Sequence, residues 1–305
     1  MRILLTGATG FIGQSIAAHL LAQGHEVIGL HLGSKPAPIM PIFKGLILDV
    51  GTFDDVNKLA TQLPPCDAII HTAASLDMSL FSSSVLHANC FGIQNMLWLA
   101  SRWHDCRFIF LSSVPVIGLP QVLPITEAHP VSPLTTYHAS KLFGERLVHL
   151  ARDYGVNGVS LRLTAPIGSG MPRNRFLPTL LSNAIQHIPL ELSGTGARKQ
   201  NYIDIRDIVK AVEICLHHDA TGVFNIASTS CIANKELAQY CIKRCQSLSK
   251  IVFNGKEDSE DSLTWDVSID KARDILGFVP QFNIDDSITA VLADINGGRL
   301  NGSQG

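Results

Sequence analysis

The sequence is poor in charge and in aromatic rings: Asp, Glu, Lys and Arg make up 16% of its 305 residues, and Phe, Trp and Tyr only 7%. With a net charge of -2 at pH 7, it lacks the global field that gathers nucleic acid or an anionic membrane. An anionic substrate must therefore be held by a few local cations. No run of about 18 apolar residues occurs, so no helical membrane span is expected. The apolar start Ile3-Leu4-Leu5 breaks at once into Thr6-Gly7, and no signal peptide is expected either. The seven cysteines are odd in number and contain no C-x-x-C pair, which argues against a disulfide framework or a zinc ribbon. Cys241 and Cys245 share a helix face without a clustered His or carboxylate, and the twelve histidines form no H-x-x-x-H pattern. No metal is expected, and the cytoplasm is the expected location.

What is present is a regular alternation. An apolar fraction of 46% supplies a sizeable core, enough for one large α/β domain with a smaller appendage. Short β-branched or leucine-rich runs at 2–6, 26–30, 45–48, 68–72, 108–112 and 159–163 read as strands. Helical stretches separate them, notably 12–23, 85–102 and 134–154. Strands spaced by helices predict βαβ units and a parallel sheet, with binding groups at the strands' C-terminal ends. After Thr164 the texture changes: Pro166, Gly168, Gly170 and Pro172 mark an irregular crossing, followed by a helix over 176–187 and a short strand over 191–193. The strand 201–204, the helix 206–217 and the strand 223–226 read as a return to the main sheet. The predicted fold is therefore a Rossmann-type doubly wound parallel sheet, residues 1–164 plus 202–228, with a smaller mixed domain from 165–201 plus 229–305.

Between the first strand and first helix lies Gly7-Ala8-Thr9-Gly10-Phe11-Ile12-Gly13. Gly7 permits a tight turn, Gly10 lets backbone approach a pyrophosphate, and Gly13 lets the helix pack on the strand. The helix N-terminus offers its free N–H groups to the phosphates. Coenzyme choice is set at the end of the second strand, where an acidic residue would bind the ribose hydroxyls and repel a 2′-phosphate. Here His31 occupies that end, with Ser34 and Lys35 placed to donate to a phosphate. This favours NADP over NAD.

Tyr137-His138-Ala139-Ser140-Lys141 opens a long helix, placing Tyr137 and Lys141 one turn apart on one face. A tyrosine of pKa about 10 is a poor base at neutral pH. A neighbouring ammonium is expected to lower it and make proton exchange with a hydroxyl or carbonyl feasible. Ser113, after the strand 108–112, would hold the same oxygen by a hydrogen bond.

These features together resemble the extended short-chain dehydrogenases/reductases, in particular the NAD(P)-dependent epimerase/dehydratase group acting on nucleotide sugars. The resemblance runs through Thr6–Gly13, Asp49-Val50, His71-Thr72-Ala73-Ala74, Asn89 opening its helix, and Ser112-Ser113 with Val116-Ile117-Gly118. It continues through Tyr137 and Lys141, Pro166-Ile167-Gly168, Gly194-Thr195-Gly196 with Asn201–Asp204, and Leu276–Pro280. It implies that Ser113, Tyr137 and Lys141 are catalytic, with Asn89 supporting the proton relay. Asp49 and Val50 would lie near the adenine, Thr72, Ala73 and Ala74 along the coenzyme, and Pro166 and Ile167 beside the nicotinamide. Ser75, Arg173, Arg175, Arg198 and Gln200 are the substrate candidates.

The departures bear on substrate. The stretch after Ser113 is Val114-Pro115-Val116, without the Thr and acidic residue usual in similar dehydratases. Gln200 stands where many nucleotide-sugar members have Arg, with Arg198 two positions earlier. The expected activity is hydride transfer at a sugar carbon, at C4 of a nucleotide sugar, by epimerisation or ketone reduction in a homodimer. The alternatives are an NADP-dependent reductase of a non-sugar ketone or aldehyde, and a non-catalytic dinucleotide-binding module.

Overall fold

The computed structural model describes residues 1–33 and 43–302. Seven parallel strands form the main sheet in the order β10-β6-β5-β4-β1-β2-β3. They are β1 (Arg2–Thr6), β2 (Glu26–His31), β3 (Phe43–Ile47), β4 (Ala68–His71), β5 (Arg107–Ser113), β6 (Asn157–Leu163) and β10 (Gly222–Ile226). The strands buried on both faces read as nearly continuous apolar runs, which is the pattern of a covered parallel sheet. Ile3, Leu5, Ile70, Ile109 and Leu161 enter the core on one face, and Leu4, Ile69, Phe108 and Phe110 enter the core on the other. Strand order reverses between β1 and β4, where Thr6 lies in register with His71. A crevice at the carboxyl ends of such a switch point is where open α/β sheets bind ligands.

Helices α1 (Phe11–Ala22) and α7 (Ile205–Leu216) pack on each other on the first face. The second face is covered by α2 (Phe53–Gln62), α4 (Gly92–Ser101) and α5 (Thr136–Leu150). The helix expected over 85–102 is not uniform: a short α3 (Ser83–Val85) runs through a π-helical turn, Leu86–Phe91, into α4. Asn89 therefore sits inside a wide turn rather than opening a helix, a local widening that frequently marks functional sites.

Residues 165–204 and most of those after β10 build the smaller part. Its strands are β7 (Ala165–Ile167), β8 (Leu190–Leu192), β9 (Lys199–Asp204), β11 (Cys231–Ala233) and β12 (Ile251–Phe253). Here the expectation needs correction. The strand over 201–204 does not rejoin the main sheet, because β9 pairs parallel with β7 and antiparallel with β11 in a separate sheet. The chain re-enters the main layers only with α7 and β10. Helices α6 (Phe176–Ile185), α8 (Asn234–Arg244) and α10 (Ile284–Gly302) close over a second core that includes Leu180, Leu181, Leu237 and Ile288. The remaining helix, α9 (Asp270–Leu276), packs beside β10. No helix among the described residues is long and apolar enough to cross a membrane.

Candidate active site

The chain leaves β1 through Gly7, whose φ of 66° lies in the left-handed region. A Cβ there would come within 2.7 Å of Thr72 Oγ1 and 2.8 Å of the Ala73 nitrogen, and one on Gly13 would enter the Gly7 carbonyl. Both positions therefore require glycine. A Cβ on Gly10 would meet only the Gly7 oxygen, at 3.2 Å, with nothing else within 4 Å. Gly10 also caps α1 without a side-chain bond, and the helix has no acidic residue in its first turn. The Phe11, Ile12 and Gly13 amides have no partner among the described residues. An open space facing free amides at a helix N-terminus fits a dinucleotide pyrophosphate.

Thr6 staples the switch point. Its hydroxyl oxygen accepts from the Thr72 and Ala73 amides, each at 3.1 Å, while Thr72 Oγ1 donates to the Thr6 carbonyl at 2.6 Å. With both amides donating to it, the hydroxyl proton is directed to His71 Nδ1, 3.0 Å away. Burial, and secondarily the Lys141 charge, push the His71 imidazole down to about 3. The ring is therefore neutral, with its proton on Nε2, a buried atom without a partner among the described residues.

Ser113 ends β5, and Tyr137 lies in the first turn of α5, capped by the Thr135 hydroxyl that accepts from the His138 amide at 3.2 Å. Lys141 is buried one turn on. Its ammonium donates to the Leu111 carbonyl at 2.8 Å and lies 4.9 Å from the Phe110 ring centre and 5.7 Å from that of Tyr137. Burial pushes Lys141 down to about 8, opposed by the Glu145 carboxylate. The expected lowering of Tyr137 is not found: burial pushes its phenol up to about 12, with only Arg175 acting against the rise. Desolvation of the phenolate decides the direction, and the Lys141 ammonium is turned to a backbone carbonyl. Asn89 joins the elements. Its Oδ1 accepts from the Ser75 amide at 2.7 Å, and its Nδ2 donates to the Ser75 carbonyl at 3.1 Å and to Ser140 Oγ at 2.9 Å. Ser140 in turn donates to the Tyr137 carbonyl at 2.7 Å.

The remaining sequence candidates divide. Ala74 continues from Ala73 toward Ser75, partly exposed. Pro166 and Ile167 lie in β7 opposite Ile203 and Asp204. Asp49 is committed, accepting from the Gly51 amide and pairing with His87 Nε2, each at 2.9 Å, and the Val50 carbonyl accepts from Asn95. His31 Nδ1 accepts from the Gly33 amide at 3.1 Å. Ser34 and Lys35 lie outside the described residues. Arg175 precedes α6, exposed, and Arg173 donates to the Asp294 carbonyl. Arg198 is drawn away, paired with Glu260 at 2.7 Å and Asp258 at 3.8 Å. With the Gln200 amide oxygen turned toward it, that oxygen accepts from Arg198 Nε at 2.6 Å.

The sequence reading did not assign roles to Thr6, His71 and Ser140, nor to a buried cluster of Ser112, Glu145 and Arg162. The signal for the last was only partial: Glu145 follows Lys141 by one helical turn, and Arg162 is the single charge in its strand.

Comparison with known proteins agrees with this geometry. The chain is 28% identical to an uncharacterized UDP-glucose epimerase of Bacillus subtilis, over 96% of this chain and 97% of that one. It is also 28% identical to a dTDP-glucose 4,6-dehydratase of Streptomyces niveus, over 94% and 90%. Its fold superposes on the UDP-glucose 4-epimerase of Thermotoga maritima with a TM-score of 0.91 at 18% identity, over 98% and 100% of the chains. The UDP-glucuronic acid 4-epimerase of Bacillus cereus, solved with NAD, gives 0.86 at 22% identity, over 97% and 99%. Residues 3–227 match the model of the NAD dependent epimerase/dehydratase family. With the glycine cradle at the switch point and Tyr137 and Lys141 beside Ser113, the chain belongs to that family of enzymes.

Proposed function

We propose that this enzyme moves a hydride at C4 of a nucleotide sugar, by epimerisation or by reduction of a ketone. The observation that carries the reading is that Lys141, one helical turn from Tyr137, bonds the Leu111 carbonyl of β5, the strand that ends at Ser113. The nicotinamide coenzyme supplies or accepts the hydride when bound. The chain's own residues do the rest. Tyr137 exchanges the proton at the substrate oxygen, Ser113 orients that oxygen, and Lys141 supplies positive charge behind the phenol. Asn89, tied to Ser75 and Ser140, holds the first turn of α5 in place. Pro166 and Ile167 would flank the nicotinamide, and Arg173 and Arg175 the sugar.

Elimination of water is not part of the proposal. It needs an acid after Ser113, and Val114, Val116 and Ile117 are instead buried in an apolar cluster. NADP is preferred to NAD, since His31 ends β2 without a carboxylate, although the Bacillus cereus relative was solved with NAD. The active form is a cytoplasmic homodimer: Leu86, Phe91, Phe143 and Leu150 leave large apolar side chains exposed around α4 and α5, a surface suited to an isologous contact. Residues 1–164 and 205–228 form the coenzyme domain, and the remainder the substrate domain.

One observation favours a second reading, reduction of a non-sugar ketone or aldehyde. Arg198, the cation nearest the position expected to face a diphosphate, is held by two carboxylates. Incubation of UDP-glucose and UDP-glucuronic acid with the oxidised coenzyme, and of a 4-keto nucleotide sugar and simple ketones with NADPH, following absorbance of the reduced nicotinamide, separates these outcomes. Sugar product without net change in the nicotinamide means epimerase, and stoichiometric loss of NADPH means reductase. Turnover of simple ketones alone establishes the second reading. A 4-keto-6-deoxy product would refute the argument from the missing acid.

A further inference from the structure

The face of α5 that carries Tyr137 and Lys141 continues, one turn further, to Glu145. These three side chains are a phenol, an ammonium and a carboxylate in a row, and consecutive residues of β5 meet that face. The Leu111 carbonyl accepts from Lys141, the Ser112 hydroxyl donates to Glu145 Oε1 at 2.6 Å, and Ser113 ends the strand. From β6, Arg162 closes on the same carboxylate with two bonds of 2.8 Å, Nε to Oε1 and Nη2 to Oε2. Glu145 and Arg162 are each only 4% exposed. A buried ion pair of this kind is weak evidence for stability, because well-packed apolar residues of similar volume often serve as well or better. The pair also leaves Arg162 Nη1 buried without a partner among the described residues, so its geometry is not optimised for the pair alone.

We propose that Glu145 is a positioning residue for the Tyr137–Lys141 pair: clamped by Arg162 and Ser112, it fixes the rotation of α5 on β5 and supplies the countercharge for the Lys141 ammonium. The inference rests on the hydride-transfer reading above for its functional meaning. The groups around Lys141 leave Glu145 as its source of negative charge. On α5 these are Tyr137, a neutral phenol, and His138, held down by burial and by Lys141 itself. From β4 comes His71, neutral. From β5 come the Leu111 carbonyl and the Phe110 ring, and from the π-helical turn Asn89, uncharged. Arg162 on β6 reaches the lysine only through Glu145. Burial alone would discharge the lysine, and an uncharged amine cannot stabilise a phenolate. Glu145 opposes that discharge.

Glu145→Gln alone would strand the Arg162 charge and endanger folding, so the informative protein is the paired variant Glu145→Gln/Arg162→Met. The first readout needs no substrate. Lys141 titrates near 8 in the folded chain and near 10.4 when unfolded. Between these values the unfolded state binds the extra proton, and stability rises with pH relative to a Lys141→Met reference. Measured as Tm against pH, with Lys141→Met made in each background, this rise should begin near pH 8 in the wild type. In the paired variant it should begin about one unit lower, a tenfold easier loss of the proton. The second readout is turnover of the substrate found above: its alkaline limb should move down by the same unit, with KM within about twofold. A folded paired variant whose rise and alkaline limb stay at the wild-type pH overturns the proposal and leaves Glu145 a structural ion pair. A shifted rise in a chain that turns over no sugar or ketone supports the Glu145–Lys141 coupling and refutes only the proposed function.

Discussion

The two sides of the candidate site are built in opposite ways. On the sheet side, His71, Asn89, Lys141, Glu145 and Arg162 are each at most 4% exposed, and their bonds run to backbone or to one another. On the side of the smaller sheet, Arg173 and Arg175 are exposed, and Arg198 pairs with the half-buried carboxylates of Asp258 and Glu260. Buried polar groups in a low dielectric hold one arrangement strongly, because an unmade bond there is costly. Exposed pairs contribute about 0–1 kcal/mol and rearrange readily. On the proposed reading, the difference teaches that the proton-handling groups are fixed before any substrate arrives, whereas the candidate substrate-binding side chains are freer to regroup.

The comparison can be broken first at Tyr137. Tyr137→Phe should lose well over about a hundredfold in turnover, as expected for removal of a general acid–base, with an unchanged circular dichroism spectrum. Near-normal turnover would detach the buried side from the chemistry. Next in size is His71. Its folded pKa of about 3 lies below the unfolded value of about 6.5. Its contribution is therefore complete above pH 6.5 and is lost as pH falls toward 3, because the unfolded chain then binds the extra proton. His71→Asn, which keeps an acceptor for Thr6, should flatten the acid side of the Tm–pH curve, recovering on the order of a few kcal/mol of that acid-induced loss by pH 4. Identical curves would mean that the ring is not held neutral.

Gly7→Ala follows, expected to cost on the order of 1–3 kcal/mol from strain at a positive φ and to weaken coenzyme binding measured by nicotinamide fluorescence. An alanine variant of wild-type Tm would show that the Thr72-Ala73 backbone yields. Lys35→Ala should narrow the preference for NADP over NAD by about tenfold, since the 2′-phosphate carries a charge of about -2. A wild type that binds NAD more tightly in titration would refute the reading of His31, Ser34 and Lys35. The smallest effect is expected at Arg198. Arg198→Ala should change stability by less than about 1 kcal/mol, and a rise in KM for UDP-sugars at constant kcat would recruit it to the substrate side.

Much of the sheet side was legible in the sequence because its signals are local. Glycines at fixed spacing after β1, and Tyr137 and Lys141 one turn apart, need only a strand and a helix to acquire meaning. What escaped depends on contacts between distant segments. Whether 201–204 pairs with β6 or with β7 is not written in those residues, and the strand was read into the wrong sheet. Glu145 looks like any polar residue on a helix until Ser112 and Arg162 arrive from two strands. The rise of Tyr137 and the fall of His71 come from burial, a property of the assembled layers, and the sequence argument from a neighbouring ammonium left that desolvation out. Arg198 read as a free cation because Asp258 and Glu260 lie some sixty residues downstream.

The insertion of β7, α6, β8 and β9 between two neighbours of the main sheet has a consequence for synthesis. Strand β6 receives its outer partner β10 only after the intervening segment and α7 have emerged. Until then the Asn157–Leu163 backbone is an unpaired edge, most of whose residues, Val159, Leu161 and Leu163 among them, are buried in the finished fold, the kind of template that recruits other chains. Such long-range pairing is also slow. Nascent or truncated chains ending before Gly222 are therefore expected to aggregate, and chains extended through Ile226 to escape that fate. The point of greatest vulnerability is thus late in translation, after the catalytic segment is already made.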